Sequence, residues 1–525
     1  MPPTRAPRRL LAALALVALV AAGCGDDDDA AAPTTTAAAG TTTSAADDGG
    51  DGDGGSDGGS DGSGDDADDG LVLEIEWSDS AFAQEGRLEV PLDHDDPGGD
   101  TIELALLRVP ADDPDNRIGS LLVNPGGPGA SGIELAAAAP FFFGDDVLAR
   151  FDIIGWDPRG VGASTAVTCG DGAFFDEFTA ADPVPDTPEE EAEVEALADQ
   201  FVANCVAESA ELLPHVSTVD SARDMDLIRR ALGEEQISYL GFSYGTLLGA
   251  TYADLYPERV RAFVLDGAYS RSLTSAELTE EQAIGFEGTL DAFLASCESS
   301  GCSYAAGDDP GAVLDELVAE IDNRPLPTDD PDRPLTIGLA ITGMVLTLYD
   351  DSSWGMLDAA LAEARFSKEG SQLLRLSDLY NDRAPDGTYD NSTAAFVAIG
   401  CADSAPLSPA ELDAIAQRLE ETAPRFGPFF TSGDSCADWP IEPVDDTRPF
   451  RAAGAAPILV IATTGDPATP YDWGVRLADE LESGVLLTNV GDIHTAYGSS
   501  GPCVDDIVDA YLVDLVVPAD GIRCE

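Results

Sequence analysis

The chain has 525 residues, and its 99 acidic residues outnumber 26 Lys and Arg, so the net charge is −73. This excess of negative charge argues against a nucleic-acid partner, because phosphate backbones are bound by basic surfaces. We interpret the acidity as a solvated surface, and a preference for cationic ligands is the alternative. The length allows a large folded domain with an insertion.

Residues 1–24 have the pattern of a lipoprotein-type signal peptide. Arg5, Arg8 and Arg9 precede an apolar run over residues 10–22, which is too short to span a bilayer, and Cys24 follows Ala-Ala-Gly. We therefore expect cleavage before Cys24 and a lipid on that cysteine, which would anchor the protein to a membrane. An ordinary cleaved signal with an incidental cysteine is the alternative.

Residues 25–70 consist mostly of Asp, Gly, Ala, Ser and Thr, with fourteen Asp and no aromatic or basic residue. Such a segment cannot bury enough apolar surface to fold. We expect a disordered, acidic linker that tethers a folded domain to the anchored cysteine.

The remainder of the chain alternates short apolar runs with helical segments. The predicted strands are 86–90, 102–109, 120–123, 151–156, 237–240, 261–266, 457–462 and 485–490. Helices between most of the later strands indicate parallel pairing. The pattern predicts an α/β fold with a mostly parallel sheet, built from residues 71–269 and 451–525.

Residues 270–450 interrupt this sheet. The segments 280–296, 311–321, 354–363 and 409–422 have the pattern of helices. An insertion at this position would lie over the carboxyl edge of the sheet as a helical cap that decides what reaches the edge.

The motif Gly241-Phe-Ser-Tyr-Gly245 lies between a predicted strand and a predicted helix. This strand–turn–helix context is typical of a nucleophile elbow, so we predict that Ser243 is a nucleophile. Two further Gly-x-Ser-x-Gly matches, at Ser56 and Ser60, lie in the linker, where no strand can form.

A glycine-rich loop, Asn124-Pro-Gly-Gly-Pro-Gly-Ala-Ser-Gly132, follows the strand at 120–123. Its backbone N–H groups can approach a substrate closely because side chains are absent. We predict an oxyanion hole formed by the N–H groups of Gly127 and Tyr244. A tight turn without a catalytic role is the alternative.

Asp466 and His494 follow the last two predicted strands. The chain has only three histidines, and His94 and His215 do not follow a late strand. We predict His494 as the general base and Asp466 as the acid that orients it. The chain order Ser, acid, His is that of the α/β-hydrolases.

Eight cysteines remain after Cys24, and an even number in an exported chain indicates disulfides. By proximity we expect the pairs Cys169–Cys205, Cys297–Cys302, Cys401–Cys436 and Cys503–Cys524. Neither a paired Cys-x-x-Cys motif nor a metal-ligand spacing of His is present, so we predict no metal site and no cofactor.

Six motifs together resemble the secreted tripeptidyl aminopeptidases of actinobacteria, which are relatives of the prolyl aminopeptidases with a TAP-like C-terminal region. They are the loop 124–132, Gly155-Trp-Asp-Pro-Arg-Gly-Val-Gly162, the run 221–233, Gly241-Phe-Ser-Tyr-Gly-Thr246, Gly465-Asp-Pro-Ala-Thr-Pro470 and His494-Thr-Ala-Tyr-Gly498. The resemblance implies an α/β-hydrolase fold and exopeptidase activity, with Ser243, Asp466 and His494 as the triad. Family members near the cell envelope are often lipoproteins, in agreement with Cys24.

An aminopeptidase must bind a free α-ammonium group, and buried carboxylates are the physical means. Gln282 and Glu287, in the first predicted cap helix, are candidates, and a role as surface polar residues is the alternative.

From the triad, the signal pattern and the resemblance together, we expect an extracytoplasmic serine exopeptidase that releases short peptides, and tripeptides in particular, from free N-termini. The alternatives are a carboxylic ester hydrolase or amidase on the same fold, and a surface binding lipoprotein with a vestigial site. The sequence does not predict the oligomeric state.

Overall fold

The computed structural model describes residues 71–80 and 82–525. The predicted signal peptide, the lipidation of Cys24 and the linker of residues 25–70 lie outside the described residues.

The described residues form one ten-stranded sheet with the spatial order β1-β2-β3-β5-β4-β6-β7-β8-β9-β10. The strands are β1 (Glu76–Asp79), β2 (Gln84–Pro91), β3 (Thr101–Val109), β4 (Gly119–Asn124), β5 (Phe151–Trp156), β6 (Ile237–Phe242), β7 (Val260–Asp266), β8 (Ile458–Thr463), β9 (Gly484–Asn489) and β10 (Ile522–Cys524). Strands β1, β2, β3 and β5 pair antiparallel in that order. From β5 to β10 every pair is parallel.

Helices follow the parallel strands and cover both faces of the sheet. The helices before the insertion are α1 (Gly132–Ala137), α2 (Ala139–Phe142), α3 (Asp145–Arg150), α4 (Gly172–Ala180), α5 (Pro188–Ser209), α6 (Thr218–Leu232) and α7 (Tyr244–Leu255). Every residue of β4 and β6 is buried. Burial on both faces explains why these strands are continuous apolar runs.

The cap is helical, as predicted, and enters between β7 and β8. Its helices are α8 (Ser275–Ser300), α9 (Pro310–Asn323), α10 (Ile337–Leu348), α11 (Trp354–Ala362), α12 (Ser371–Tyr380), α13 (Ser392–Asp403), α14 (Pro409–Thr422) and α15 (Gly427–Thr431). They pack around an apolar core of their own, which includes Phe286, Leu317, Leu348 and Leu373. Two helices, α16 (Tyr471–Glu480) and α17 (Pro502–Asp514), complete the sheet-bearing part.

The four predicted disulfides are all present. Cys169–Cys205, Cys297–Cys302, Cys401–Cys436 and Cys503–Cys524 are bonded, at sequence separations of 36, 5, 35 and 21 residues. Among the helices of residues 71–80 and 82–525, none combines the length and apolar character needed to cross a bilayer.

Candidate active site

Ser243 lies on the sharp turn between β6 and α7. Its backbone has φ 53° and ψ −123°, a strained conformation for a residue with a side chain. The flanking glycines are needed for steric reasons: a Cβ on Gly241 would collide with the carbonyl of Gly245, and a Cβ on Gly245 would lie 2.8 Å from the carbonyl oxygen of Asn124. The turn therefore has the geometry of the predicted nucleophile elbow.

Asp466 and His494 are hydrogen-bonded to each other on the turns that follow β8 and β9. Nδ1 of His494 lies 2.9 Å from Oδ1 and 3.0 Å from Oδ2 of Asp466. Both side chains are buried, at 3 % exposed for His494 and 0 % for Asp466. Nε2 of His494 is buried as well and finds no hydrogen-bond partner among the described residues. The imidazole is thus oriented by its Nδ1 side, and Nε2 is left available for a proton.

Thr469 completes the support of the acid, a role that sequence reasoning missed. Its hydroxyl donates to Oδ2 of Asp466 at 2.9 Å and lies 3.3 Å from Nδ1 of His494. The backbone N–H groups of Ala468 and Thr469 donate to Oδ1 at 2.9 and 2.8 Å. The carboxylate is therefore fixed in one orientation against the imidazole.

Asp266, at the end of β7, connects the nucleophile to the histidine loop. Its carbonyl accepts the N–H of Ser243 at 2.9 Å. Its carboxylate accepts the N–H of Ala496 at 2.9 Å and that of Tyr497 at 2.8 Å. The side chain is fully buried, and burial raises the pKa of Asp266 to about 6. The next residue, Gly267, has φ +67°, and a Cβ there would lie 3.1 Å from Cε1 of His494.

The glycine-rich loop crosses over the nucleophile elbow through Gly126, which sequence reasoning did not single out. A Cβ on Gly126 would lie 2.9 Å from Cβ of Ser243 and 3.2 Å from the backbone nitrogen of Tyr244. The N–H of Gly126 donates to Oδ1 of Asn124 at 3.0 Å. The N–H of Gly127 donates to no acceptor within the described part of the chain. Gly127 therefore remains the candidate donor that the sequence predicted.

The cap helix α8 holds the loop that carries Asp466. Nε2 of Gln282 donates to the carbonyl of Ala468 at 2.8 Å. A Cβ on Gly285 would collide with the carbonyl of Pro467, so helix and loop are in close contact. Gln282 thus lies beside the acid loop.

Glu287 lies on the same helix but faces other cap residues. Its carboxylate accepts the backbone N–H groups of Arg425 and Phe426, both at 2.9 Å. It also lies 3.4 Å from Nη1 of Arg425, and the residue is 2 % exposed. The structure therefore does not bring Glu287 to the triad loops, and its predicted role in substrate binding stays a prediction.

The cap also holds the histidine loop. The N–H of His494 donates to the carbonyl of Tyr349 at 2.7 Å, and the N–H of Asp351 donates to the carbonyl of Asp492 at 3.2 Å. The rings of Tyr349 and His494 are 5.4 Å apart, edge to face. The position of the imidazole therefore depends on the cap as well as on the sheet.

The other two histidines lie around a buried ion pair. Arg159 is 0 % exposed and binds Asp224 through two nitrogens, each at 2.7 Å. Nε2 of His94 lies 3.1 Å from the same carboxylate, and the carbonyl of His215 accepts from Arg159 at 2.9 Å. Burial opposes the charge of Asp224, but Arg159 and His94 outweigh it and lower its pKa. Both histidines thus belong to a structural cluster that anchors loops.

Within residues 71–80 and 82–525, no group of three His, Cys, Asp or Glu side chains is arranged to hold a metal ion.

These features define a class of protein. The serine lies on the turn after β6, and the hydrogen-bonded acid and histidine lie on the turns after two later parallel strands. This is the arrangement of a serine hydrolase with the α/β-hydrolase fold. Family models agree with this assignment: the α/β hydrolase fold matches residues 119–351, and the TAP-like protein family matches residues 423–524.

The chain belongs to the tripeptidyl aminopeptidase-like family of α/β-hydrolases with a TAP-like C-terminal region. It is 39% identical over 461 residues to serine protease Hip1 of Mycobacterium tuberculosis, covering 84% of this chain and 86% of that protein. It is also 39% identical over 460 residues to carboxylesterase B of the same organism, covering 85% and 87%. Tripeptidyl aminopeptidase of Streptomyces coelicolor is 32% identical over 480 residues, with 86% of each chain covered.

Among solved structures, proline iminopeptidase of Mycobacterium smegmatis aligns with 81% of this chain and 97% of its own, at 17% identity and a TM-score of 0.35.

Proposed function

We propose that this protein is an extracytoplasmic serine exopeptidase that releases tripeptides from the free N-termini of peptides. The observation that carries the proposal is the buried Asp466–His494 pair, in which Nε2 of His494 has no hydrogen-bond partner among the described residues. The strained turn at Ser243 supplies the predicted nucleophile. The relatives named serine protease and tripeptidyl aminopeptidase support peptides as the substrate class.

In this mechanism Ser243 Oγ attacks the carbonyl carbon of the scissile bond while His494 Nε2 accepts the hydroxyl proton. Asp466 keeps the imidazole in the required tautomer and stabilises the imidazolium. The N–H groups of Gly127 and Tyr244 stabilise the oxyanion. When the tetrahedral intermediate collapses, His494 gives the proton to the leaving amine. Water then attacks the acyl-enzyme, and His494 accepts a proton from the water and returns it to Ser243 Oγ.

A carboxylic ester hydrolase is the second candidate function. The relative named carboxylesterase B favours it, since its identity to this chain equals that of Hip1, at 39%. The triad itself does not distinguish an ester from an amide, so the distinction must come from the acyl-binding part of the site.

The experiment that separates these functions is hydrolysis of a tripeptide p-nitroanilide with a free or an acetylated N-terminus, alongside p-nitrophenyl acetate. We expect turnover of the free-amine anilide and little of the acetylated one. Equal turnover of both would indicate an endopeptidase or general amidase. Turnover of the ester alone would favour the esterase.

The matched control is Ser243→Ala, which should abolish all turnover and also labelling by a fluorophosphonate. Labelling that persists in Ser243→Ala would refute Ser243 as the nucleophile, and a wild-type protein that is never labelled would favour a binding protein with a vestigial site.

The extracytoplasmic location rests on the sequence pattern at Cys24 and on the four disulfides, which form in oxidising compartments. With lipid on Cys24, we expect the protein in the membrane fraction of its cell. Cys24→Ser should move it to the medium, and a wild-type protein that carries no lipid would refute the anchor.

A further inference from the structure

Two hydrogen bonds in series join the ring of Tyr244 to the cap. The hydroxyl of Tyr244 lies 2.5 Å from Oγ1 of Thr218, the first residue of α6. The same Oγ1 donates to Oδ2 of Asp403, the last residue of cap helix α13, at 2.6 Å. The backbone N–H of Thr218 donates to Oδ1 of Asp403 at 2.8 Å. The chain therefore connects α7, α6 and the cap.

The direction of the two hydroxyl bonds follows from the protons available. A threonine hydroxyl has one proton, and an ionised carboxylate has none. Because Thr218 donates to Asp403, it must accept the proton of the Tyr244 hydroxyl. Thr218 and Tyr244 are both buried, at 3 % exposed. A buried chain of hydrogen bonds that ends on a charged acceptor holds its members more firmly than bonds between neutral groups.

Tyr244 also carries one of the two predicted oxyanion donors. It follows Ser243 directly and is the first residue of α7, so its backbone N–H has no acceptor within the helix. The strained backbone of Ser243 restrains Tyr244 on one side, and the bond to Thr218 restrains its ring on the other. The direction of the N–H therefore depends on the anchored ring.

Helix α13 contacts the glycine-rich loop as well. Gly129 of that loop has φ +109°, and a Cβ there would lie 2.6 Å from the carbonyl oxygen of Ser392, the first residue of α13. A cavity of about 100 Å³ has Pro128, Tyr244 and Asp403 in its wall, so the loop, the elbow and the end of α13 meet around one space. One cap helix thus contacts both arms of the predicted oxyanion hole.

We propose that Thr218 and Asp403 are positioning residues for the oxyanion hole, through which cap helix α13 fixes the backbone N–H of Tyr244. Both act through Tyr244 and not on the substrate itself. The proposal rests on the proposed function and deepens it: the cap contributes to stabilisation of the transition state in addition to selecting the substrate.

The first test removes the link at Thr218 and measures hydrolysis of p-nitrophenyl acetate. Thr218→Val should lower kcat by about tenfold with KM within about twofold, because a misdirected N–H stabilises the oxyanion less while ground-state contacts remain. Thr218→Ser keeps the hydroxyl and should restore kcat to within about twofold of wild type. Thr342→Val is the matched control: it removes a buried cap hydroxyl that bonds the carbonyl of Gly338 in its own helix at 3.0 Å, and it should leave kcat unchanged.

Tyr244→Phe breaks the same link and leaves the bond between Thr218 and Asp403 in place, so it tests the proposal even if Thr218→Val fails to fold. The variant keeps the ring and the N–H, and its kcat should fall by the same factor. Tyr252→Phe is the control, because Tyr252 is also buried on α7 and its hydroxyl lies 3.2 Å from the carboxylate of Asp226. Wild-type kcat in Tyr244→Phe, or equal losses in Thr218→Val and Thr218→Ser, would overturn the proposal.

A double variant tests whether Asp403 belongs to the same chain. Asp403→Asn keeps the shape of the side chain but places an amide donor where an oxygen accepted. The kinetics are measured at about pH 8.5, because burial raises the pKa of Asp403 to about 7 and the carboxyl group is then ionised. The loss of kcat in Tyr244→Phe/Asp403→Asn should match that of the larger single variant. A loss equal to the product of the two would refute the role of Asp403.

Phenylboronic acid gives a readout that a merely structural role would not change. Its boron accepts an electron pair from Ser243 Oγ while His494 takes the hydroxyl proton, and the tetrahedral adduct places an oxygen in the oxyanion hole. In each variant the inhibition constant should rise by the factor by which kcat falls. A lower kcat with unchanged inhibition would overturn the proposal.

Failure of the proposed function gives a different result. A wild-type protein that hydrolyses p-nitrophenyl acetate but no tripeptide anilide would refute the peptidase function and leave the tests above intact, since they use the ester. Wild-type ester hydrolysis that none of the variants changes would refute the positioning role alone. A wild-type protein that hydrolyses neither substrate would refute both.

Discussion

The backbone carbonyl of Asp266 accepts a hydrogen bond from the N–H of Ser243 at 2.9 Å. The carboxylate of the same residue accepts the N–H groups of Ala496 and Tyr497, which follow His494 in its loop. One buried residue at the end of β7 therefore sets the position of the candidate nucleophile through its main chain and of the histidine loop through its side chain.

Asp266→Asn should lower kcat by about tenfold with little change in KM, because small displacements of a catalytic group are costly while substrate contacts are retained. Asn keeps one carbonyl acceptor but loses the charge that strengthens the bonds to Ala496 and Tyr497. Steady-state kinetics on the tripeptide anilide measures the effect. Asp254→Asn is the control. The Asp254 carboxylate also accepts two backbone N–H groups, but they belong to Arg451 and Ala452, at 3.1 and 3.0 Å, and not to the histidine loop. Equal losses in both variants would contradict a positioning role.

Thr469→Val should also lower kcat by about tenfold, because the variant loses the hydroxyl that donates to Asp466 and keeps the shape of the side chain. KM and the melting temperature should change little. Thr464→Val removes an exposed hydroxyl that bonds the carbonyl of Gly491 at 3.4 Å, and it should leave kcat unchanged. A Thr469→Val enzyme with wild-type kcat would show that the backbone bonds alone hold the carboxylate.

The disulfides of the cap should contribute unequally to stability. Cys401–Cys436 closes a separation of 35 residues and Cys297–Cys302 one of 5. Loop entropy predicts stabilisation of about 4 kcal/mol for the first and about 2 kcal/mol for the second. Thermal unfolding of the two Cys→Ser double variants should therefore give a larger loss for Cys401 and Cys436. Equal losses would mean that local packing outweighs loop entropy.

Stability should decrease as the pH rises from 5 to 8. Burial raises the pKa of Asp182 and Asp266 to about 6 and that of Asp403 to about 7. A carboxyl whose folded pKa lies above its unfolded value of about 3.9 stabilises the fold most when it is protonated, and this contribution is lost as the pH rises through the folded pKa. Melting temperatures across this range measure the trend, and Asp403→Asn should reduce it. A melting temperature that rises towards pH 8 would contradict the expectation.

Local patterns predicted most of the architecture. The eight predicted strands correspond to β2–β9, and the predicted helix 409–422 has the bounds of α14. Strands β1 and β10 were missed because each is short and lies at an edge of the sheet, so neither shows a clear apolar run. Helix α10 was missed because nearly all its residues are buried, which removes the helical periodicity of apolar and polar residues.

The sequence by itself determined the nucleophile elbow and the order of the candidate triad. Each depends on residues close in the chain or on strands whose carboxyl ends must meet at one edge of a parallel sheet. Tertiary structure alone decided the positions that Asp266 connects and the pairing of Glu287 with Arg425. These relationships join residues on separate elements, and with 99 acidic residues in the chain, only burial and partners can distinguish one carboxylate from another.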